Sequence, residues 1–137
     1  VYGPGQDMNN MRQGMVSIFL SQAIKNNKIV IKGSLKRFRD FIYIDDVVEC
    51  WYKASFNENI LNQAINIGTG KKTTVNDLVK KIQSITKVDE IIIQEGTPCD
   101  QLGIYSDITK LNHIVNVKPK VDLIKGLKYF YKWAKNN

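Results

Sequence analysis

Apolar positions recur at mixed three- and four-residue spacing through Met15, Ile18, Phe19, Gln22 and Ile24, the mark of an amphipathic helix that the polar pair Asn26 and Asn27 stops. The period then shortens. Ile29-Val30-Ile31 reads as a strand ended by Gly33, and Phe41-Ile42-Tyr43-Ile44 as another, with Asp45 or Asp46 placed to cap a helix running to Ala54. The same grammar repeats with a strand at Ala64-Ile65-Asn66-Ile67 and a turn at Gly68-Thr69-Gly70. Thr74-Val75-Asn76-Asp77 then resembles a capping box before a helix from Leu78 to Ile85. A strand follows at Glu90 to Gln94. Asp107-Ile108-Thr109-Lys110 opens a short helix, Pro119 interrupts, and Asp122 caps a last helix carrying Leu123, Leu127, Phe130 and Ala134. Short apolar strands alternating with helices predict an α/β fold with a parallel component. About three or four strands are readable, against about five or six in an ordinary sheet. Parallel strands buried on both faces need neighbours, so part of the sheet is expected to be missing.

Composition narrows the class. The 137 residues are 43% apolar, enough for one core, which sets aside disordered, collagen-like and disulfide-scaffold chains. Lys and Arg outnumber Asp and Glu by 20 to 13 for a net charge of +7, but only three of them are Arg. The abundance of Lys with Ile and Asn fits a genome's base composition as well as selection for charge. A single His and two distant cysteines, Cys50 and Cys99, supply neither a Cys/His metal cage nor a His-dependent triad with any redundancy, so no metal site is expected. No apolar run approaches the ~18 residues that would span a bilayer, and the N-terminus lacks the signal-peptide pattern. The expected setting is cytoplasmic, with no membrane partner. The chain opens without Met on the Gly/Pro turn Val1-Tyr2-Gly3-Pro4-Gly5-Gln6, an end expected to come from processing or truncation. No repeat or linker follows.

Four segments together resemble the C-terminal part of the extended short-chain dehydrogenase/reductase family, the nucleotide-sugar epimerases and dehydratases, UDP-glucose 4-epimerase among them. They are Val1 to Gln6, Arg39-Asp40-Phe41-Ile42-Tyr43-Ile44-Asp45-Asp46-Val47, Asn66-Ile67-Gly68-Thr69-Gly70, and Asp107-Ile108-Thr109-Lys110 with Pro119 after it. Their order and spacing run the length of the chain. The resemblance implies a parent of roughly twice this length or more, whose N-terminal Rossmann half holds NAD and whose C-terminal half closes over the sugar nucleotide. Residues 1–137 then form that C-terminal substrate-binding part, an incomplete parallel sheet plus a small α/β region. NAD belongs to the parent, and none is expected to bind this chain tightly. Gly68-Thr69-Gly70 has too few glycines and the wrong element order for the dinucleotide fingerprint, so it reads as a strand-to-helix turn.

Family catalysis uses a Tyr and a Lys one helical turn apart. Tyr131 and Lys135 have that spacing but lie in the last helix, where no cofactor site precedes them, so the chain is expected to hold no catalytic residue and to be inactive alone. The family role of Arg39 is to reach the diphosphate, a task suited to a planar guanidinium; a solvated strand-end cation, or a partner for Asp40 or Asp45, is the competing reading. Arg37 and Lys36 read as solvent-facing. Asp100 stands where the family carries a ribose-binding carboxylate, or else caps locally. Its preceding residues depart from the family's Arg-Pro-Gly-Asp: Thr97 removes a cation and Cys99 replaces a Gly. Ile31 and Lys32 fall on the strand whose backbone faces the nucleobase in the family. Val16 and Phe19 either wall the nucleotide pocket or pack the core, and Tyr2 either approaches the cofactor ring or plugs the core. His113 reads as a helix-surface residue.

The implied partner is a nucleotide sugar, a UDP-sugar first, with transient oxidation of a sugar hydroxyl as the parent's chemistry. The parent is expected to be a homodimer, and exposed strand edges in the fragment predict self-association. The alternative is a freestanding basic module for nucleic acid or another polyanion, given the clusters Lys25 to Arg39, Lys71 to Lys87 and Lys118 to Lys135. It ranks below the first because no nucleic-acid motif accompanies the charge.

Overall fold

The computed structural model describes residues 1–12, 14–96 and 101–137. Helix α1 (Met15–Asn26) leads into strand β1 (Lys28–Lys32), then β2 (Phe38–Arg39) and α2 (Ile44–Ala54). A short 3-10 turn (Glu58–Ile60), β3 (Thr73–Thr74), α3 (Val75–Thr86) and β4 (Glu90–Gln94) follow, and a π-helical turn (Leu111–Val115) precedes α4 (Leu123–Ala134). The fold is α/β. β1 pairs in parallel with β4, Lys28 opposite Glu90 through Lys32 opposite Gln94, while β2 pairs antiparallel with β3. A parallel pair needs a long crossover, here supplied by everything from β2 to α3.

Two of the helix starts follow local chemistry. Thr74 accepts the Asp77 N–H at 3.0 Å while its hydroxyl donates to the Asp77 carboxylate at 2.7 Å, and α3 begins at Val75, one turn before the expected Leu78. Asp122 accepts the Lys125 N–H at 2.9 Å and opens α4. At α2 the expectation fails: Tyr43 occupies the cap position without a side-chain bond, and Asp45 and Asp46 fall inside the first turn. Asp46 is instead 3% exposed and accepts the N–H groups of Lys120 at 2.9 Å and Val121 at 3.1 Å, tying the approach to α4 onto α2.

Two expected strands do not form ladders. Phe41 to Ile44 shrinks to one parallel bridge between Tyr43 and Tyr2, made by Tyr2 N–H to Ile42 O at 3.0 Å and Ile44 N–H to Tyr2 O at 2.9 Å, because the helix starts at Ile44. Ala64 to Ile67 forms no strand. Among the described residues no neighbour pairs with it, and its alternating Ile65 and Ile67 pack against the smaller core instead.

The main core gathers Tyr2 from the segment before α1 with Phe19, Leu20, Ile29, Ile31, Leu78, Ile82, Leu127 and Phe130 from α1, β1, α3 and α4. The smaller one seats Cys50 of α2 against Leu111, Val115 and Val117. Burial raises the pKa of the Cys50 thiol, with the Asp46 and Glu49 carboxylates adding to it. His113 is exposed on the π-helical turn. No helix among the described residues is long and apolar enough to cross a membrane.

Candidate functional site

Asp40 organises the site without lining up with its neighbour Arg39. Its carboxylate accepts the N–H groups of Thr69 at 3.0 Å, Gly70 at 2.9 Å and Ser106 at 3.3 Å, together with the Thr69 hydroxyl. The Gly68 to Gly70 turn therefore has its donors filled by an internal carboxylate. It does not fit a dinucleotide pyrophosphate, which would need those N–H groups. Gly68 is needed there because a Cβ would collide with the Ser106 side chain and come within 2.7 Å of the Asp40 carboxylate.

Arg39 and Asp40 border the same two cavities, but only Arg39 brings a cation to them. Its Nη1 donates to the Phe38 carbonyl at 2.7 Å, and among the described residues no carboxylate pairs with it. The Arg39 side chain borders two cavities. One, of about 320 Å³, is walled by Val1, Tyr2, Gln6, Met15 and Val16; the other, of about 240 Å³, by Asn66, Tyr105 and Ser106. A third and larger cavity, about 450 Å³, shares Gly14 and Met15 with the first and extends over Ile18, Phe19, Gln22, Val30, Lys32 and Arg37. The first and second of these cavities meet at Arg39 and Asp40, and the first and third at Gly14 and Met15.

The open edge follows from register. The Gly33 N–H donates to Gln94 O at 2.9 Å, so the odd-numbered residues of β1 turn their backbone groups toward β4 and Val30 and Lys32 turn theirs the other way. Lys32 thus borders the large cavity with both backbone and position, as does Val30, which sequence reasoning did not single out. Ile31 is turned away: its side chain is fully buried and its backbone faces β4. Val16 stands in both places, 2% exposed in the core and at the wall of the Arg39 cavity. Phe19 is likewise both core and cavity lining.

Tyr2 packs edge-on against Tyr43, ring centroids 5.6 Å apart, and its hydroxyl points to α4, donating to Leu123 O at 3.4 Å. Burial first, then the nearby Tyr43, Asp122 and Asp46, push its pKa well above the usual phenol range. The shift favours the protonated hydroxyl, which is turned to a carbonyl of α4. The spacing of Tyr131 and Lys135 also builds no acid–base pair, since the Lys135 nitrogen lies over the Tyr131 ring, 5.5 Å from its centroid. Arg37 corrects the expectation that it faces solvent. It is half-buried, lines the large cavity, and donates through Nε to Ser34 O at 3.2 Å and through Nη2 to Lys32 O. Lys36 is exposed. Asp100, with Thr97 and Cys99, lies outside the described residues. Among the described residues no three His, Cys, Asp or Glu side chains are grouped to hold a metal.

The family model described as "NAD dependent epimerase/dehydratase family" matches residues 1–68, which carry Tyr2, Val16, β1, Arg39 and Asp40. A putative UDP-glucose 4-epimerase of Methanocaldococcus jannaschii is 37% identical over 138 residues, covering 100% of this chain and 44% of the relative. UDP-glucuronic acid decarboxylase 6 of Arabidopsis thaliana is 31% identical over 127 residues, 92% of this chain and 36% of its own length. The crystal structure of UDP-glucose 4-epimerase with UDP-glucose from Thermotoga maritima superposes with a TM-score of 0.90 at 34% identity, over 98% of this chain and 43% of that one. The chain thus spans less than half the length of the relatives it matches. With one sequence pattern, one local geometry and one backbone trace in agreement, the chain belongs to the NAD-dependent epimerase/dehydratase family.

Proposed function

We propose that residues 1–137 form the nucleotide-sugar-binding part of an NAD-dependent epimerase or dehydratase, with a UDP-sugar as the substrate. The observation that carries this reading is the Arg39 guanidinium, bordering two cavities while the adjacent Asp40 carboxylate is spent on three backbone N–H groups and a hydroxyl. A planar guanidinium can pair two phosphate oxygens at once, and a diphosphate supplies them. The base then lies toward β1 in the larger cavity and the sugar past Arg39.

In a protein of the relatives' length, the held sugar undergoes transient oxidation of a hydroxyl by NAD, then inversion or loss of water and hydride return. NAD is assigned to that longer protein, and no residue of this chain is proposed to hold it. This chain contributes binding and orientation, and by itself turns over no substrate.

Calorimetric titration of UDP into the chain tests the reading. Binding is expected, and Arg39→Ala should weaken it by about tenfold or more, the scale of one charge-assisted contact. Absence of UDP binding, with salt-steep binding to random DNA instead, would overturn it in favour of a polyanion-binding module.

A further inference from the structure

We infer that Gln6 is a substrate-binding residue whose side-chain oxygen accepts a hydrogen bond from a hydroxyl of the sugar, so that the chain holds a UDP-sugar more tightly than UDP. This rests on the nucleotide-binding reading above and adds a contact for the sugar.

The cavity of about 320 Å³ beside Arg39 has four polar side chains in its lining, Tyr2, Gln6, Arg39 and Asp40. Three of them have their hydrogen-bonding groups assigned. Asp40 accepts from Thr69, Gly70 and Ser106, the Tyr2 hydroxyl is turned to Leu123 O at 3.4 Å, and Arg39 brings the cation for a diphosphate. Gln6 is the fourth. Its Oε1 is closed off from solvent and accepts no hydrogen bond among the described residues. A buried acceptor without a donor is costly, and native structures keep few of them. The fold nonetheless makes room for this amide: Gly14 has φ +76°, and a Cβ there would lie 3.2 Å from Gln6 Nε2 and 2.7 Å from Ser17 Oγ. The last torsion of a Gln side chain is broad, so turning the oxygen to the cavity costs little.

A cavity that offers one guanidinium and one uncommitted amide oxygen among apolar walls suits a ligand with an anionic group and a hydroxyl beside it. A glycosyl diphosphate carries both, because the ring that bears the terminal phosphate also bears free hydroxyls. UDP alone satisfies Arg39 and leaves Oε1 without that donor.

The experiment compares UDP-glucose with UDP by calorimetry on the chain and on Gln6→Met, which keeps the side chain's length and removes the amide. The unaltered chain should favour UDP-glucose by about tenfold, the effect of one buried hydrogen bond, and Gln6→Met should reduce that ratio to about twofold or less with UDP affinity unchanged. Urea melts of the same variant should show an equal or higher midpoint, since an unpaired acceptor has been removed. Should Gln6→Met fail to fold, analogues of UDP-glucose that each lack one sugar hydroxyl test the unaltered chain, and one of them should bind about tenfold more weakly than UDP-glucose. This inference alone is overturned by an unaltered chain that does not favour UDP-glucose, by a ratio unchanged in Gln6→Met, or by analogues that all bind like UDP-glucose, provided that UDP binding still depends on Arg39. An equal loss for both ligands in Gln6→Met also overturns it: at an unchanged midpoint it marks a ribose contact, and with a lower midpoint it marks Gln6 as a brace for the turn before α1. No UDP binding by the unaltered chain overturns the nucleotide reading and this inference with it.

Discussion

Asp40 is expected to matter more to stability than any other surface-proximal carboxylate described, and the size of the effect follows from its bonds. Asp40→Ala strands the N–H groups of Thr69, Gly70 and Ser106 and the Thr69 hydroxyl, which now converge on one carboxylate. A hydrogen bond to a charged group contributes about 1.5–3 kcal/mol, but four bonds to one acceptor do not add independently. Asp40 is also only half-buried, so water can satisfy part of what is lost. The expected cost is about 3 kcal/mol for Asp40→Ala and about half that for Asp40→Asn, which keeps one acceptor oxygen. With a urea slope of about 1.5 kcal/mol per molar, Asp40→Ala should lower the unfolding midpoint by about 2 M at unchanged slope. Asp40→Asn should also weaken UDP binding, although Asp40 is assigned no nucleotide contact, because an amide NH2 set against the Thr69 and Gly70 N–H groups loosens the Gly68 turn next to Arg39. A midpoint shift under about 0.3 M for Asp40→Ala would refute the reasoning, since the knot would then be an incidental cluster of contacts.

Gly126→Ala places a Cβ on the Tyr2 hydroxyl and within 2.9 Å of both the Tyr2 and Tyr43 rings. Chemical denaturation should show a loss of about 1–3 kcal/mol from overpacking, exceeding the gain of about 1 kcal/mol in helix propensity. Glu49 has its pKa lowered by the Lys120 and Lys53 side chains, so its stabilising contribution is present above the ordinary Glu value of 4.5 and is lost as pH falls through its lower folded value. Urea melts of Glu49→Gln should accordingly differ from the unaltered chain at pH 7 and converge with it in acid. In a Cys99→Ser background, Cys50, 1% exposed with a raised thiol pKa, should react with a disulfide reagent only as fast as the chain unfolds; rapid labelling of the native protein would contradict its seat in the smaller core. Sedimentation across a concentration series should show self-association from the edge of β4 that no named strand among the described residues covers and from the single Tyr2–Tyr43 bridge, and a monomer throughout would oppose it.

The parts legible in the sequence were those written in a few adjacent residues. Thr74 and Asp122 announce their helices because a cap and its N–H partner lie three residues apart. β1 and β4 announce themselves by apolar runs, and Arg39 by the motif around it. What stayed hidden depends on partners far along the chain. Asp46 reads as a cap locally, yet its acceptors are claimed by residues 74 and 75 positions away. Ala64 to Ile67 alternates like a strand, but alternation reports burial and not whether another strand stands beside it. Arg37 reads as one more surface cation until the turn after β1 folds it back onto Lys32 O. Which backbone groups of β1 face the cavity is decided by pairing with β4, so Ile31 and Val30 could not be told apart beforehand.

Tyr2 carries a consequence for how the chain is made. Its ring shares one core with Leu127 and Phe130 of α4, and its hydroxyl bonds to Leu123, 121 positions later. A ribosome releases Tyr2 long before α4 exists, so this segment waits without its α4 contacts until about 120 further residues have emerged. β1 waits similarly for β4, and both closures carry the entropy of long loops. Closure of this core is therefore gated by α4, and ribosome-stalled chains ending before residue 123 should remain protease-sensitive around Tyr2.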